Sequence, residues 1–129
     1  MKRRFFSVAM VAGALALAGC RAQTLVTPEA KTNNIGLEKM KSVIIGACHG
    51  RGWVVRQEGQ GHMVATYTKG PHVACVDIYY TGDSYRIVKN DKTTLVKPDG
   101  NVDNKYNQWV KNLAKDINTL VAHKVALSS

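Results

Sequence analysis

The sequence predicts an α+β domain, a two-layer sandwich in which a four-stranded antiparallel meander carries two helices on one face. Two stripes of apolar residues at three- and four-residue spacing, one on each side of the central region, predict the helices. The central region consists of short β-branched and aromatic runs separated by turn residues, which is typical of antiparallel strands. The order is therefore α-β-β-β-β-α, and a sheet that buries one side under both helices satisfies it.

The first predicted helix begins after Asn33 or Asn34, either of which can cap it, and Gly50 can end it. Its apolar stripe consists of Leu37, Met40, Ile44, Ala47 and Cys48. The last helix follows a turn at 98–100, and Asp103 is suited to its N-cap. Its stripe consists of Tyr106, Trp109, Val110, Leu113, Ile117, Leu120 and Val121.

Four strands are predicted from their residue types, and they cover 53–56, 62–68, 73–80 and 85–88. Gly59, Gly70 and Gly82 lie in the connecting segments, where they can adopt a positive φ. Loop length and alternation together predict the register of the three hairpins. The predicted cross-strand pairs are Tyr80 with Tyr85, Ile78 with Ile87, Ala65 with Val76, Met63 with Ile78, and Val55 with Met63.

Alternation also divides the sheet into a core face and an outer face. In 73–80 the even positions are all apolar or aromatic, so they are predicted to face the core. The odd positions and their neighbours make the outer face more apolar than solvation requires, which suggests a surface for a partner or a second copy. The strand preference of valine is the plainer explanation. The candidates for a partner face are Val54, Val64, Val73, Tyr79 and Val88.

Cys48 and Cys75 could form a disulfide, which an oxidising compartment would favour. Parity, however, places Cys48 on the helix stripe facing the sheet and Cys75 on the far side of that sheet. A disulfide needs Cα atoms within ~7 Å of each other, which the intervening sheet makes difficult. A free, buried Cys48 that packs as a small apolar residue is the alternative, and the sequence leaves both open.

The N-terminus resembles the signal of a bacterial lipoprotein. Residues 1–4 include three basic ones, about thirteen mostly apolar residues follow, and 17–20 have the sequence Leu-Ala-Gly-Cys. The apolar run is shorter than the ~20 residues that span a bilayer. The tetrapeptide resembles a lipobox, which implies cleavage before Cys20 and acylation of its sulfur. Because Arg21 follows the cysteine, the resemblance also implies export to the outer membrane, with the domain facing the periplasm.

The expected organisation is a signal peptide at 1–19, a lipidated cysteine with a flexible tether at 20–33, and a single domain at 34–129. Three of the 18 lysines and arginines lie in the signal, which leaves 15 against 9 acidic residues and a net charge of +6. These basic residues form no block, so a nucleic-acid partner is not expected. The charge fits solubility, with some attraction to anionic lipid.

The sequence contains few residues arranged for chemistry. Cys48, His49, His72 and Cys75 are metal-ligand types, but they lack the paired spacing of zinc sites, and strand parity separates the last two. Ser84 follows Asp83 without the elbow that frames a serine nucleophile. There is no glycine-rich phosphate loop. We therefore predict no catalytic residue, metal or cofactor, although a small enzyme or metal protein built on the Cys48 group stays the alternative.

Three segments of the predicted domain resemble a family of small, uncharacterised bacterial lipoproteins. They are Arg51-Gly52-Trp53, His72-Val73-Ala74 with the alternation that follows it, and Tyr106-Asn107-Gln108-Trp109-Val110. Trp53 and Trp109 are expected to be packing anchors rather than platforms for a glycan. The resemblance implies the fold and an envelope location but no catalytic residue. The expected function is a lipid-anchored, non-enzymatic binding or adaptor module that contacts an envelope protein or itself.

Overall fold

The computed structural model describes residues 24–97 and 102–128. The predicted signal peptide, Cys20 and the turn at 98–100 lie outside these residues. Within them the chain forms one α+β unit with one antiparallel sheet and two helices. The elements are β1 (Glu29–Lys31), α1 (Leu37–Gly50), β2 (Val54–Gly59), β3 (His62–Lys69), β4 (His72–Tyr80), β5 (Ser84–Lys89) and α2 (Asn104–Ser128).

The sheet has five strands in the order β1-β5-β4-β3-β2, so the predicted count of four is wrong. The additional strand, β1, pairs with β5 and sets Glu29 opposite Arg86. This strand has only three residues, of which the middle one is partly buried and the other two are exposed. Three residues are too few for alternation to indicate a strand. Its pairing with β5 is a backbone interaction that composition does not show.

From Thr24 onward, the segment predicted as a flexible tether is hydrogen-bonded to the domain. The Val26 amide donates to Asn107 Oδ1 at 3.0 Å, and Asn107 Nδ2 donates to the Thr24 carbonyl at 2.8 Å. Further along, the Thr32 amide donates to the Asp83 carbonyl at 2.7 Å. These contacts join residues far apart in sequence, whereas a tether is inferred from local composition.

The register of β3, β4 and β5 is confirmed. Ala65 pairs with Val76, and the other confirmed pairs are Met63 with Ile78, Ile78 with Ile87, and Tyr80 with Tyr85. The register of β2 is wrong by two residues, since Val55 pairs with Ala65 and not with Met63. A two-residue shift keeps every side chain of β2 on its predicted face.

The shift arises at the β2–β3 turn, where the predicted three-residue loop is replaced by a tight turn with a bulge. The register changes between Gln57 and Gly59, and Gly59 pairs directly with His62. Gly61 closes the turn with φ 74°, and a Cβ there would lie 2.8 Å from the Tyr80 carbonyl oxygen. Glycine is therefore required at position 61 both by conformation and by space.

Two of the three predicted helix ends are confirmed, and the start of α1 differs. Asp103 caps α2, since its Oδ1 accepts the Lys105 amide at 2.8 Å. The N-cap of α1 is Gly36, with φ 88° and no side-chain hydrogen bond. The cap was expected at Asn33 or Asn34, and Asn34 Oδ1 instead accepts the Gly36 amide at 3.0 Å. Gly50 is the last residue of α1, as predicted.

One hydrophobic cluster joins the two helices to alternate positions of the strands. Ile78 and Ile87 lie fully buried in it, and Trp53 is only 3% exposed. The helices contribute Met40, Val43, Ile44, Ala47, Cys48, Tyr106, Val110, Leu113, Ala114, Ile117 and Val121. Burial of this apolar surface is the main stabilising term, at ~25 cal/mol per Å² removed from water.

Candidate functional site: the outer face of the sheet

The outer face consists of the strand positions that alternate with those of the core cluster. Val64 and Cys75 are buried but do not belong to the core cluster, so their side chains lie on the opposite side of the sheet from it. The outer-face positions are Val54 and Arg56 of β2, His62, Val64 and Thr66 of β3, Val73, Cys75, Asp77 and Tyr79 of β4, and Arg86 and Val88 of β5.

Three flat side chains stand side by side across the outer face. His62, Tyr79 and Arg86 occupy opposed positions on β3, β4 and β5. The His62 and Tyr79 rings stack with centroids 4.4 Å apart and planes inclined by 16°. The Arg86 guanidinium carbon lies 4.9 Å from the centre of the Tyr79 ring, within the range of a cation–π contact. We call these three residues the planar row.

Beside the planar row lies a hydrogen-bonded network centred on Asp77. His62 Nε2 is 2.7 Å from Asp77 Oδ1, and Asn90 Nδ2 donates to Asp77 Oδ2 at 2.9 Å. Burial on its own raises the pKa of the Asp77 carboxyl, but the hydrogen bonds from His62 and Asn90 outweigh it, and the pKa ends below its usual value. Both oxygens of the carboxylate are therefore occupied, and the group holds His62 in place.

The five residues predicted as a partner face differ widely in exposure. Val54 is 72% exposed and Tyr79 is 38% exposed, whereas Val64 is only 7% exposed. Val73 and Val88 are partly buried. Val64 is flanked across the strands by Arg56 and Asp77, whose longer side chains limit its access to solvent. Tyr79 and Val54 are thus the apolar side chains that a partner could contact most directly.

Cys48 and Cys75, the cysteines among the described residues, are free thiols buried on opposite sides of the sheet. Cys48 lies in the core cluster, and burial raises the pKa of its thiol to about 12. Cys75 lies on the outer side, where its amide donates to Thr93 Oγ1 at 2.9 Å and Thr66 Oγ1 is 3.6 Å from its sulfur. A thiol as protected and as weakly acidic as Cys48 behaves as a small apolar side chain.

The four residues of the alternative metal or enzyme site do not come together. Cys48 belongs to the core cluster, Cys75 lies on the outer face of the sheet, and His49 is exposed at the end of α1. His72 begins β4. Among residues 24–97 and 102–128, no three His, Cys, Asp or Glu side chains form a group that could hold a metal ion.

The aromatic residues expected as packing anchors line a cleft between α1, α2 and the sheet. Tyr67 joins them, with its ring centre 5.6 Å from that of Trp53 and 4.9 Å from that of Trp109. Arg51 and Asp116 pair across the cleft through two hydrogen bonds of 2.5 and 3.2 Å. The cleft measures about 440 Å³, within the size range of small-ligand sites.

The sequence did not predict the Asp77 network or the Arg51–Asp116 pair. His62 and Asp77 are 15 residues apart, and Arg51 and Asp116 are 65 apart, so no local pattern marks either pair. The register provided one signal. Once Met63 is set opposite Ile78, His62 must lie opposite Tyr79 and diagonal to Asp77.

No protein-family model matches the chain, and neither a curated protein nor a solved structure matches it. In the part of the chain that the structure describes, neither helix is long and apolar enough to cross a bilayer. The function is therefore proposed from the geometry of the outer face and from the predicted lipid attachment.

Proposed function

We propose that the protein is a lipid-anchored binding or adaptor module of the cell envelope, held by acyl chains on Cys20 in the outer membrane and facing the periplasm. The Leu-Ala-Gly-Cys sequence behind a short apolar run supports the anchor. More than one acyl chain on a residue gives stable attachment, because each buried methylene contributes ~0.8 kcal/mol. In this proposal the domain is a two-layer sandwich with both helices on one face of the sheet.

The observation that carries the proposal is the planar row on the face opposite the core cluster. Tyr79 is 38% exposed, and its ring stacks on His62 and contacts the Arg86 guanidinium. Tyrosine and arginine are the types most often found at the energetic centres of protein interfaces. A side chain already fixed by its neighbours loses little conformational entropy when a partner binds. We therefore propose the outer face around Tyr79 as the partner surface.

In this proposal the His62–Asp77 pair is a structural contact. Asp77 has both oxygens engaged by His62 and Asn90, which fixes the His62 ring beside Tyr79. The partner is an envelope protein or a second copy of this chain. Anchoring both partners to one membrane raises their effective concentration, so even a weak contact becomes effective.

Site-specific photo-crosslinking in intact cells tests this function. A benzophenone amino acid replaces Tyr79 in one variant and exposed Lys115 of α2 in a control variant. We expect a discrete crosslinked product, to another protein or to a second copy, from position 79 and not from position 115. Equal products from both positions, or no product from position 79, would overturn the outer-face proposal.

The anchor is tested separately by growth with radiolabelled palmitate. The wild-type protein is expected to incorporate the label, and Cys20→Ala is expected to lose it. If the wild type takes up no label, the proposal of a lipid anchor fails, whatever the crosslinking shows. Metal analysis of the purified protein tests the alternative at Cys48, His49, His72 and Cys75, since bound zinc in stoichiometric amount would favour it.

A further inference from the structure

The docked N-terminal segment limits how far the domain can stand from its anchor. The Asn107 side chain accepts the Val26 amide through Oδ1 and donates to the Thr24 carbonyl through Nδ2. Asn107 is only 3% exposed. The chain then stays on the domain, since the Pro28 carbonyl accepts the Ile87 amide and β1 follows. The first described residue, Thr24, is thus fixed beside the start of α2.

Three residues lie between Cys20 and Thr24. A fully extended chain rises at most ~3.6 Å per residue, so Thr24 lies within about 14 Å of the acylated residue. The polar headgroup region is itself several ångströms deep, since a bilayer of ~30 Å hydrocarbon is about 40–45 Å thick with its headgroups. With Cys20 acylated, the start of α2 is held at the membrane surface, which a fourteen-residue free tether would not require.

The surface at this end of the domain is suited to lipid. Leu25 is 40% exposed and Val96 is 41% exposed. Lys97 and Lys105 are exposed as well. We call these four residues the anchor-side end. All four lie at the end of the domain where α2 starts, because Val96 pairs with Val102 just before α2, Lys105 is in its first turn, and Leu25 lies between the two residues that Asn107 binds.

Among the described residues around Asp103, the charged groups are mainly basic. The pKa of Asp103 is lowered, first by the hydrogen bond from the Lys105 amide and also by the charges of Lys105, Lys97 and His72, so these basic groups surround one carboxylate. Exposed apolar side chains flanked by lysines are the composition of surfaces that rest at a membrane interface. Lysines within a Debye length of an anionic bilayer are attracted to it.

We propose that the anchor-side end docks directly on anionic phospholipid, so that the domain rests on the membrane in one orientation. This inference rests on the proposed acylation of Cys20. The far end of α2, where Lys39 lies near Val125 and Ser128, is then about 27 Å along the helix from Asn107 and stands away from the lipid. The outer face of the sheet is left open to a partner.

The test uses the full lipidated protein reconstituted into phospholipid vesicles. An environment-sensitive fluorophore is attached to Val96→Cys in one sample and to Leu127→Cys in a matched control. Leu127 is 70% exposed and lies at the far end of α2. The native thiols of Cys48 and Cys75 are buried, so they do not compete for the label. We expect a blue shift and quenching by a headgroup-attached quencher at position 96 only, and only in vesicles that contain anionic lipid.

Neutralising the lysines tests the chemistry of the contact. In Lys97→Gln with Lys105→Gln, the equilibrium between docked and undocked domains is expected to fall about 25-fold, at ~1 kcal/mol per lysine. Lys39→Gln with Lys115→Gln is the matched control and is expected to leave the signal unchanged.

The outcomes separate this inference from the proposed function. If the protein floats with the vesicles but positions 96 and 127 respond alike, docking is wrong while the anchor stands. If the position-96 response is equal in zwitterionic vesicles, anionic lipid is not the partner. If the protein carries no acyl chain by mass and does not float with the vesicles, the anchor proposal itself fails.

Discussion

The two faces of the sheet belong to the same strands but are covered by different kinds of contact. Ile78 and Asp77 are neighbours on β4, yet Ile78 is fully buried in the core cluster and Asp77 anchors a polar network on the other side. The core face is closed by apolar side chains from the helices. On the outer face, the Asp77 hydrogen bonds and the stacking within the planar row hold the central side chains in place. Tyr79 and Val54 remain exposed there.

The difference shows what each face contributes. Apolar packing on the core face has no requirement for direction, so its energy comes from excluded water and close contact. The polar contacts of the outer face are directional, and they fix the orientation of a few side chains at a modest gain in stability. Stability is therefore concentrated on one face and a prearranged surface on the other.

The largest effect is expected from breaking the core face. Ile78→Ala removes a fully buried side chain, and the cavity left behind should lower the free energy of unfolding by about 2–5 kcal/mol. Chemical denaturation measures this loss. A decrease below about 0.5 kcal/mol would mean that the core around Ile78 is not packed as described.

An intermediate effect is expected from the Asp77 network. Asp77→Asn removes the charge that His62 and Asn90 hydrogen-bond, and it should cost about 1.5–3 kcal/mol at neutral pH. Because the pKa of Asp77 is lowered in the folded protein from 3.8, its contribution is present above about pH 4 and is lost as the pH falls through the folded pKa.

Denaturation of the wild type and of Asp77→Asn across the acid range measures this dependence. The difference between the two proteins should shrink as the pH falls below about 4. Asp91→Asn is a suitable control. Asp91 is fully exposed, and its carboxylate comes no closer than 3.9 Å to the Lys89 ammonium, which is too far for a hydrogen bond. A wild-type advantage that stays constant down to about pH 2.5 would contradict the role given to Asp77.

The smallest effect on stability is expected at the planar row. Tyr79→Ala removes one stacked ring that is already 38% exposed, and it should cost about 1 kcal/mol or less. Tyr79→Phe is the matched control, because it keeps the ring beside His62 and Arg86. A loss near that of Ile78→Ala would show that Tyr79 is part of the stabilising core and would remove the contrast between the faces.

The sequence was sufficient for the parts of the fold that local periodicity controls. Alternation in β4 and the stripe in α2 led to the correct core positions, such as Ile78 and Val110, and to the Asp103 cap. It was insufficient for β1, whose only mark is its pairing with β5, and for the bulge near Gly59. Both depend on backbone pairing between strands, which leaves no pattern in the side chains.

The candidate site was predictable in position but not in chemistry. Parity placed Val54 and Tyr79 on the outer face, where the structure has them exposed. It gave no reason to expect that Val64 would be buried there, because shielding by Arg56 and Asp77 depends on the length of cross-strand neighbours. The contact of Asp77 with Asn90 was beyond reach as well, since Asn90 lies past the end of β5.

The most direct test of the central claim places the benzophenone amino acid at outer-face Val54, which is 72% exposed, and compares recovery of the crosslinked partner from intact cells with Tyr79 intact and with Tyr79→Ala, at equal protein level. If the outer face is a contact surface rather than a stabilising one, the variant should fold and accumulate normally but lose the crosslinked partner. Recovery of the same partner in the same amount would contradict the claim that Tyr79 lies at the centre of the binding surface.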